Sequence, residues 1–126
     1  MLKVLCFGNP NFKNDALALE VGSKIRKRKT GKIPGIEIIE CGLDGDALFE
    51  IGDANFVVLD VVRGIEKVKF VDTCELEISN TVTAHDIDVS FYLKLLAKEG
   101  KKIRIIGIPE GMEAGKAAQE VERLLA

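Results

Sequence analysis

Three residues that lie far apart in the sequence carry most of its capacity for chemistry. They are the carboxylates Asp15 and Asp60 and the imidazole of His85, the single histidine of the chain. Two carboxylates and one imidazole form a mixed oxygen and nitrogen ligand set, which suits a divalent metal ion with open positions for water or substrate. The same groups could instead act as a carboxylate general base oriented by a histidine. A metal site that needs two imidazoles is excluded.

Each of these residues also has a purely structural interpretation. Asp15 precedes a predicted helix and could simply be its N-cap, and His85 could be an ordinary residue at a helix start. Asp60 is harder to explain in this way because it follows directly on an apolar strand, where a buried carboxylate needs a partner. Asp60 is therefore the strongest candidate of the three.

The three cysteines do not indicate a disulfide framework or a zinc ribbon. Cys6, Cys41 and Cys74 are odd in number, widely spaced and without a Cys-x-x-Cys pair. Cys41 lies just past a predicted strand and could be a nucleophile paired with His85, although small buried cysteines are the commoner case.

Alternating strands and helices must position these groups. Apolar runs predict strands at residues 2–7, 36–41, 56–59, 67–71 and 103–108, the third ending at Asp60. Helical spacing predicts helices from Asn14 or Asp15 to before Gly31, around residues 47–51, after residue 83, and over residues 114–125. The strand at residues 67–71 follows Asp60 too closely for a parallel crossover, so it should be antiparallel.

This pattern predicts an α/β fold, a three-layer α/β/α sandwich around a five-stranded, mostly parallel sheet with one antiparallel strand. In such a sheet, ligands bind outside the carboxyl ends of the parallel strands. That edge can bring Asp15, Asp60 and His85 to one rim.

Length and composition set the outer limits. The 126 residues predict a single domain spanning residues 1–126, and a net charge of −2 argues against general nucleic-acid binding. No apolar run reaches the roughly 18 residues of a membrane helix. The start of the chain reads directly into a strand without a signal-peptide pattern, so we expect a cytoplasmic protein with no membrane partner.

Five segments, in order, resemble one known family, the nickel-iron hydrogenase maturation endopeptidases. The matching segments are Gly8-Asn9-Pro10 with Asp15 after the first strand, Glu40-Cys41-Gly42, Phe56-Val57-Val58-Leu59-Asp60, Thr83-Ala84-His85-Asp86-Ile87, and Ile105-Ile106-Gly107-Ile108-Pro109-Glu110. Together they cover almost the whole chain.

The resemblance implies a function and roles for the site residues. Members of this family remove a short C-terminal extension from the precursor of the hydrogenase large subunit once nickel has been installed there. The family's metal-contacting acid, its strand-end aspartate and its histidine fall on Asp15, Asp60 and His85. These residues would grasp nickel that arrives in the substrate, so the implied cofactor is nickel and the implied partner is the large-subunit precursor.

The chain departs from the family pattern at three positions. Asn14 stands where the family often has an acid, Ala18 replaces a glycine, and Leu43 follows Cys41-Gly42 where a threonine or serine is usual. The predicted metal-binding trio is unaffected by these departures.

Two alternative hypotheses assign the chain to a different functional class, that of signalling or phosphate-binding modules. A signalling receiver domain would use Asp60 as a phosphate acceptor, but it needs an acidic pair directly after the first strand, where Cys6-Phe7-Gly8 stands. A flavodoxin-like module would hold a phosphate in the loop after Gly8, but that loop lacks the usual Ser, Thr and Gly donors.

Overall fold

A five-stranded mixed sheet organises the part of the chain that the structure describes. The computed structural model describes residues 2–8, 11, 16–27, 35–42, 55–72 and 104–125. The strands are β1 (Leu2–Phe7), β2 (Ile36–Gly42), β3 (Phe56–Val62), β4 (Lys69–Asp72) and β5 (Arg104–Pro109). They lie side by side in the order β2-β1-β3-β5-β4, and every neighbouring pair is parallel except β4 with β5. The predicted α/β class and its single antiparallel strand are confirmed.

Two helices cover one face of this sheet. Helix α1 (Leu17–Lys27) buries Leu17, Val21 and Ile25, the stripe predicted from the four-residue spacing, and its last turn carries Lys24, Arg26 and Lys27, where cations complement the helix dipole. Helix α2 (Ala114–Leu125) presents a stripe of small and β-branched residues to the same core: Ala114, Ala117, Ala118 and Val121.

A glycine inside α1 lets that helix approach the sheet closely. A Cβ atom built on Gly22 would lie 2.5 Å from the Sγ atom of Cys6 in β1 and 3.2 Å from a methyl group of Ile38 in β2. Glycine weakens a helix interior, so its presence here is explained by packing rather than by helix propensity.

The side chains on the opposite face of the sheet are also buried from solvent. Its buried side chains are Leu5, Phe7, Val58, Val62, Val71 and Ile105, all with 2% or less of their surface exposed. Burial of both faces is what a three-layer arrangement requires. The helices predicted around residues 47–51 and after residue 83 lie outside the described residues.

Some strand ends differ from the sequence prediction. β3 does not end at Asp60 but continues to Val62, because both added residues pair with β5 and bury their side chains. β2 runs one residue further than expected, through Gly42, and β4 and β5 are each shifted by one or two residues toward the C-terminus. Among the described residues, no helix is long and apolar enough to cross a membrane.

Candidate active site

The topology opens a crevice between β1 and β3. From β1, the chain passes through α1 to β2 on one side, whereas β3 lies on the other side of β1. At such a switch point the connections after two neighbouring parallel strands diverge, and ligands of open α/β sheets bind beyond the carboxyl ends there.

Asp60 lies at this crevice. It is one residue beyond the last paired position of β1 and β3, which joins Cys6 to Leu59, while its pairing with β5 continues opposite Gly107. Asp60 therefore sits where the sheet begins to part on the β1 side but is still closed on the β5 side.

The Asp60 side chain is fully buried, with 0% of its surface exposed, and it is the one buried charged residue among those described. The prediction that the strand ends at Asp60 was therefore wrong, because Asp60 lies inside β3 with two strand residues after it. The Val61 backbone N–H donates a hydrogen bond to Asp60 Oδ1 at 2.8 Å, which holds one carboxyl oxygen in place. Because withdrawing a carboxylate from water is costly, its burial among valines indicates a specific role.

Strand alternation decides which face Asp60 addresses. Val57, Leu59 and Val61 face α1 and α2, whereas Val58 and Val62 belong to the opposite core. Asp60 has the parity of Val58 and Val62. The carboxyl group therefore points away from the two described helices.

The neighbour of Asp60 on β5 must be small. A Cβ atom on Gly107 would come within 3.0 Å of methyl groups of Val62, Ile65 and Val71, all on the face of Asp60. Contacts this short are tighter than packed cores tolerate without movement. Gly107 thus allows close packing immediately beside the carboxylate.

The ends of β1 and β2 are tied together at the same edge. The Gly8 N–H donates a hydrogen bond of 2.9 Å to the carbonyl oxygen of Gly42, whose φ of 62° is a left-handed conformation that favours glycine. The pairing register shifts between Cys6 and Phe7, so the segment beside Cys41 is irregular. The loop that departs from Gly8 toward Asp15 therefore starts from a defined position.

The other two predicted ligands, Asp15 and His85, lie outside the described residues, as do Asn14 and Leu43. Asp60 is consequently the member of the trio whose surroundings are visible. Within the described ranges, no group of three or more His, Cys, Asp and Glu side chains is arranged to hold a metal ion.

The visible cysteines do not form a nucleophilic centre with Asp60. Burial raises the pKa of the Cys6 thiol far above its usual value, and the acidic groups of Cys41, Glu40 and Asp60 raise it further. Cys6 is therefore a neutral thiol that packs against Gly22. Cys41 is half-buried, with its Sγ atom 3.8 Å from the carbonyl oxygen of Ile39.

An ion pair on the rim was not anticipated from the sequence. Arg63 and Glu110 are the first residues after β3 and β5, and the Arg63 Nε atom lies 3.1 Å from Glu110 Oε2. Glu110 ends the last of the five family-like sequence segments, whereas Arg63 belongs to none of them. Arg63 could have been found from the sequence because it is a charged residue close after a buried strand, and such a residue must emerge at the carboxyl edge of the sheet.

Comparison with known proteins shows which solved structures share this architecture. No protein-family model matches the sequence, and no curated protein matches it. Among solved structures, the hydrogenase 3 maturation protease superposes with a TM-score of 0.71 at 17% identity, over 99% of this chain and 88% of the other. The [NiFe] hydrogenase maturation protease HycI from Thermococcus kodakarensis KOD1 gives a TM-score of 0.63 at 18% identity, over 98% and 91% of the two chains. The hydrogenase maturating endopeptidase HybD from E. coli gives 0.64 at 18% identity, over 98% and 86%.

The chain has the hydrogenase maturation protease fold. This fold separates it from the receiver-like and flavodoxin-like alternatives, whose sheets have the strand order 2-1-3-4-5. Here β5 lies between β3 and an antiparallel β4. The neighbour of Asp60 away from β1 is therefore the last strand of the chain, which brings Gly107 beside the carboxylate and Glu110 onto the rim.

Proposed function

We propose that this chain is an endopeptidase that removes the C-terminal extension from a nickel-loaded hydrogenase large-subunit precursor. The observation that carries the proposal is the fully buried carboxylate of Asp60 at the β1–β3 crevice, in a chain with the hydrogenase maturation protease fold. Five sequence segments that resemble the same family support it independently of the fold.

Asp60, Asp15 and His85 are proposed to grasp the nickel ion that the precursor brings. Two carboxylates and one imidazole are too few for a closed structural site, yet they suit an ion that keeps ligands from another protein. The hydrogen bond from the Val61 N–H to Asp60 Oδ1 orients the carboxyl group, in the way that metal-binding carboxylates are usually held.

Hydrolysis then needs an activated carbonyl group and a proton acceptor. An ion held beside the scissile bond would polarise its carbonyl group or lower the pKa of the attacking water, and a carboxylate oxygen that the ion leaves free would accept the water proton. Water adds its hydroxyl group to the acyl carbon, and the departing amine takes a proton. The extension leaves as a free peptide.

The decisive experiment compares nickel-loaded and nickel-free forms of the same precursor. Each hydrogenase large-subunit precursor of the organism that encodes this chain is purified in both forms and incubated with the unaltered protein. The shortened subunit is measured by intact-protein mass spectrometry. We expect cleavage of one loaded precursor and none of its nickel-free form. Equal cleavage of both forms would refute substrate-metal gating, and the absence of cleavage of every loaded precursor would refute the peptidase assignment.

A further inference from the structure

β2 is an exposed edge strand of the sheet. Within the described ranges it pairs with β1 alone. Unlike β1, β3 and β5, it contains no buried residue, since each of its seven residues keeps part of its surface exposed. An edge strand that presents backbone N–H and C=O groups is a template on which another strand can form hydrogen bonds. Its outer side therefore has to be blocked if the chain is to remain separate from other chains.

The ladder between β1 and β2 determines which backbone groups point to that outer side. The Leu2 N–H donates a hydrogen bond of 2.7 Å to the Gly35 carbonyl oxygen, whereas the register partner of Leu2 is Ile36. In a parallel ladder, a bonded residue reaches the two residues that flank its register partner, and alternate residues of a strand present their backbone groups to opposite sides. The β2 residues whose backbone groups point to the outer edge are therefore Ile36, Ile38 and Glu40.

Arg26, in the last turn of α1, covers the middle of this edge. Its Nη2 atom donates a hydrogen bond of 2.9 Å to the carbonyl oxygen of Ile38. Its Nη1 atom lies 3.6 Å from Glu40 Oε1, and the side chains of Arg26 and Glu40 are both 44% exposed. One guanidinium group thus occupies the acceptor that an incoming strand would use and also contacts the side chain of the next outward-facing residue. The planar fork of arginine suits two such contacts at once, which the single ammonium group of lysine does not.

Helix stability does not account for this arrangement. An exposed ion pair contributes little to the free energy of unfolding. Lys24 and Lys27 lie in the same last turn of α1 and already supply cations that complement the helix dipole. The distinctive property of Arg26 is that its guanidinium group lies on the outer edge of β2.

We infer that Arg26 blocks the outer edge of β2 and thereby prevents this strand from pairing with β2 of a second copy of the chain. The inference concerns association of the protein with itself, and it does not depend on the proposed function. The guanidinium group acts by occupying the Ile38 carbonyl oxygen, so a second strand can pair there only after this contact is lost.

The edge that Arg26 covers is complementary to itself. In an antiparallel pair centred on Ile38, the two Ile38 residues face each other and Ile36 lies opposite Glu40 of the second copy. All outward-facing backbone groups of one edge then meet outward-facing groups of the other, as an antiparallel ladder requires. Glu37 lies opposite Ile39 in this register, so no two glutamates are directly opposed. A second copy is therefore the strand that fits an unblocked edge.

Removing the Arg26 contacts without changing the net charge tests the inference. The double variant Arg26→Met, Glu40→Gln does this, and Arg123→Met, Glu120→Gln is the matched control because it removes an exposed ion pair of 3.2 Å from α2. Sedimentation velocity over a range of protein concentrations measures the mass in solution. The mass of the edge variant should approach about twice that of the monomer, because two edges paired about a twofold axis leave neither β2 edge open. The unaltered protein and the control should keep the mass of the monomer.

Amide hydrogen exchange followed by nuclear magnetic resonance identifies the surface through which the edge variant associates. The outward-facing N–H groups of Ile36, Ile38 and Glu40 should exchange at least about tenfold more slowly than in the unaltered protein, because the second strand protects them. Arg26→Lys keeps the charge but loses the fork, so it should associate more weakly than the double variant. The lysine variant also provides the test if the double variant does not fold, which circular dichroism shows.

Three results would overturn the inference. They are an unchanged mass of the edge variants, equal association of the α2 control, and slowed exchange that is confined to other strands. Each of these results would leave the peptidase proposal standing, because precursor cleavage is measured separately. Failure of the unaltered protein to cleave any nickel-loaded precursor would likewise leave the role of Arg26 unaffected.

Discussion

At the residue scale, the most unusual feature is the Asp60 carboxyl group, which is buried although a polar group loses favourable contact with water there. Its carboxyl group has no exposed surface, lies between Val58 and Val62 in β3, and is oriented by the Val61 N–H. Withdrawing a carboxyl group from water costs free energy, and this cost is the reason for the binding role that we propose for Asp60.

Asp60→Asn tests whether the charge of this carboxyl group is needed for processing. The amide oxygen can still accept the Val61 N–H, but the negative charge is lost, so processing should fall by at least about a hundredfold. The far-ultraviolet circular dichroism spectrum should stay the same because the amide has nearly the size of the carboxyl group and keeps the hydrogen bond from the Val61 N–H. Glu37→Gln makes the same chemical change at an exposed site and should alter neither quantity. Retention of processing by Asp60→Asn would contradict the ligand role.

Gly107 makes a separate residue-scale prediction about packing beside Asp60. Gly107→Ala forces a methyl group against Val62, Ile65 and Val71 and should lower the free energy of unfolding by about 1–3 kcal/mol. Gly115→Ala is the comparison in α2, where alanine favours the helix and the nearest contact is one side chain, that of Glu113, rather than three packed methyl groups. Urea unfolding measures both variants, and equal stability of the two would show that the site beside Asp60 is loosely packed.

At the element scale, the start of α2 depends on one side chain. Glu113 accepts hydrogen bonds from two backbone N–H groups of the first turn, and its negative charge complements the helix dipole. This cap sets where the helix begins and fixes the turn that joins β5 to α2.

Glu113→Ala should therefore destabilise the protein by about 1 kcal/mol. Glu113→Gln keeps an acceptor oxygen but loses the charge, so its stability should fall between those of the alanine variant and the unaltered protein. Urea unfolding followed by circular dichroism provides the measurement. If the glutamine variant is no more stable than the alanine variant, the hydrogen bonds contribute little and the charge dominates.

At the scale of the whole molecule, Cys6 reports on the integrity of the fold. The thiol lies in the core under α1, and burial raises its pKa, so at pH 8 it is a protonated, inaccessible group. A group with a raised pKa releases its proton only at higher pH or after the fold opens, when its ordinary pKa returns.

Labelling with iodoacetamide at pH 8 should therefore leave Cys6 unmodified under native conditions, while the half-buried Cys41 reacts faster. Peptide mapping by mass spectrometry distinguishes the two sites. In increasing urea, labelling of Cys6 should follow the global unfolding transition. Native labelling of Cys6 at the rate of Cys41 would show that α1 detaches from the sheet without global unfolding.

The sequence by itself determined the elements that the structure describes. Periods of two and 3.6 residues are local properties, so β1, α1 and α2 could be located from apolar spacing, and the short link after β3 was enough to make β4 antiparallel. The sequence also identified Asp60 as a candidate site residue, because a carboxylate that interrupts an apolar run is recognisable without any tertiary structure.

Only the tertiary structure decided how those elements combine. Placing β5 between β3 and β4 depends on contacts between residues distant in the chain, and this placement extended β3 to Val62 and buried Asp60 beside Gly107. The ion pair of Arg63 with Glu110 and the contact of Arg26 with the edge of β2 arise in the same way. Local pattern specifies which face of an element is apolar, whereas the partner that covers that face is selected by packing across the whole molecule.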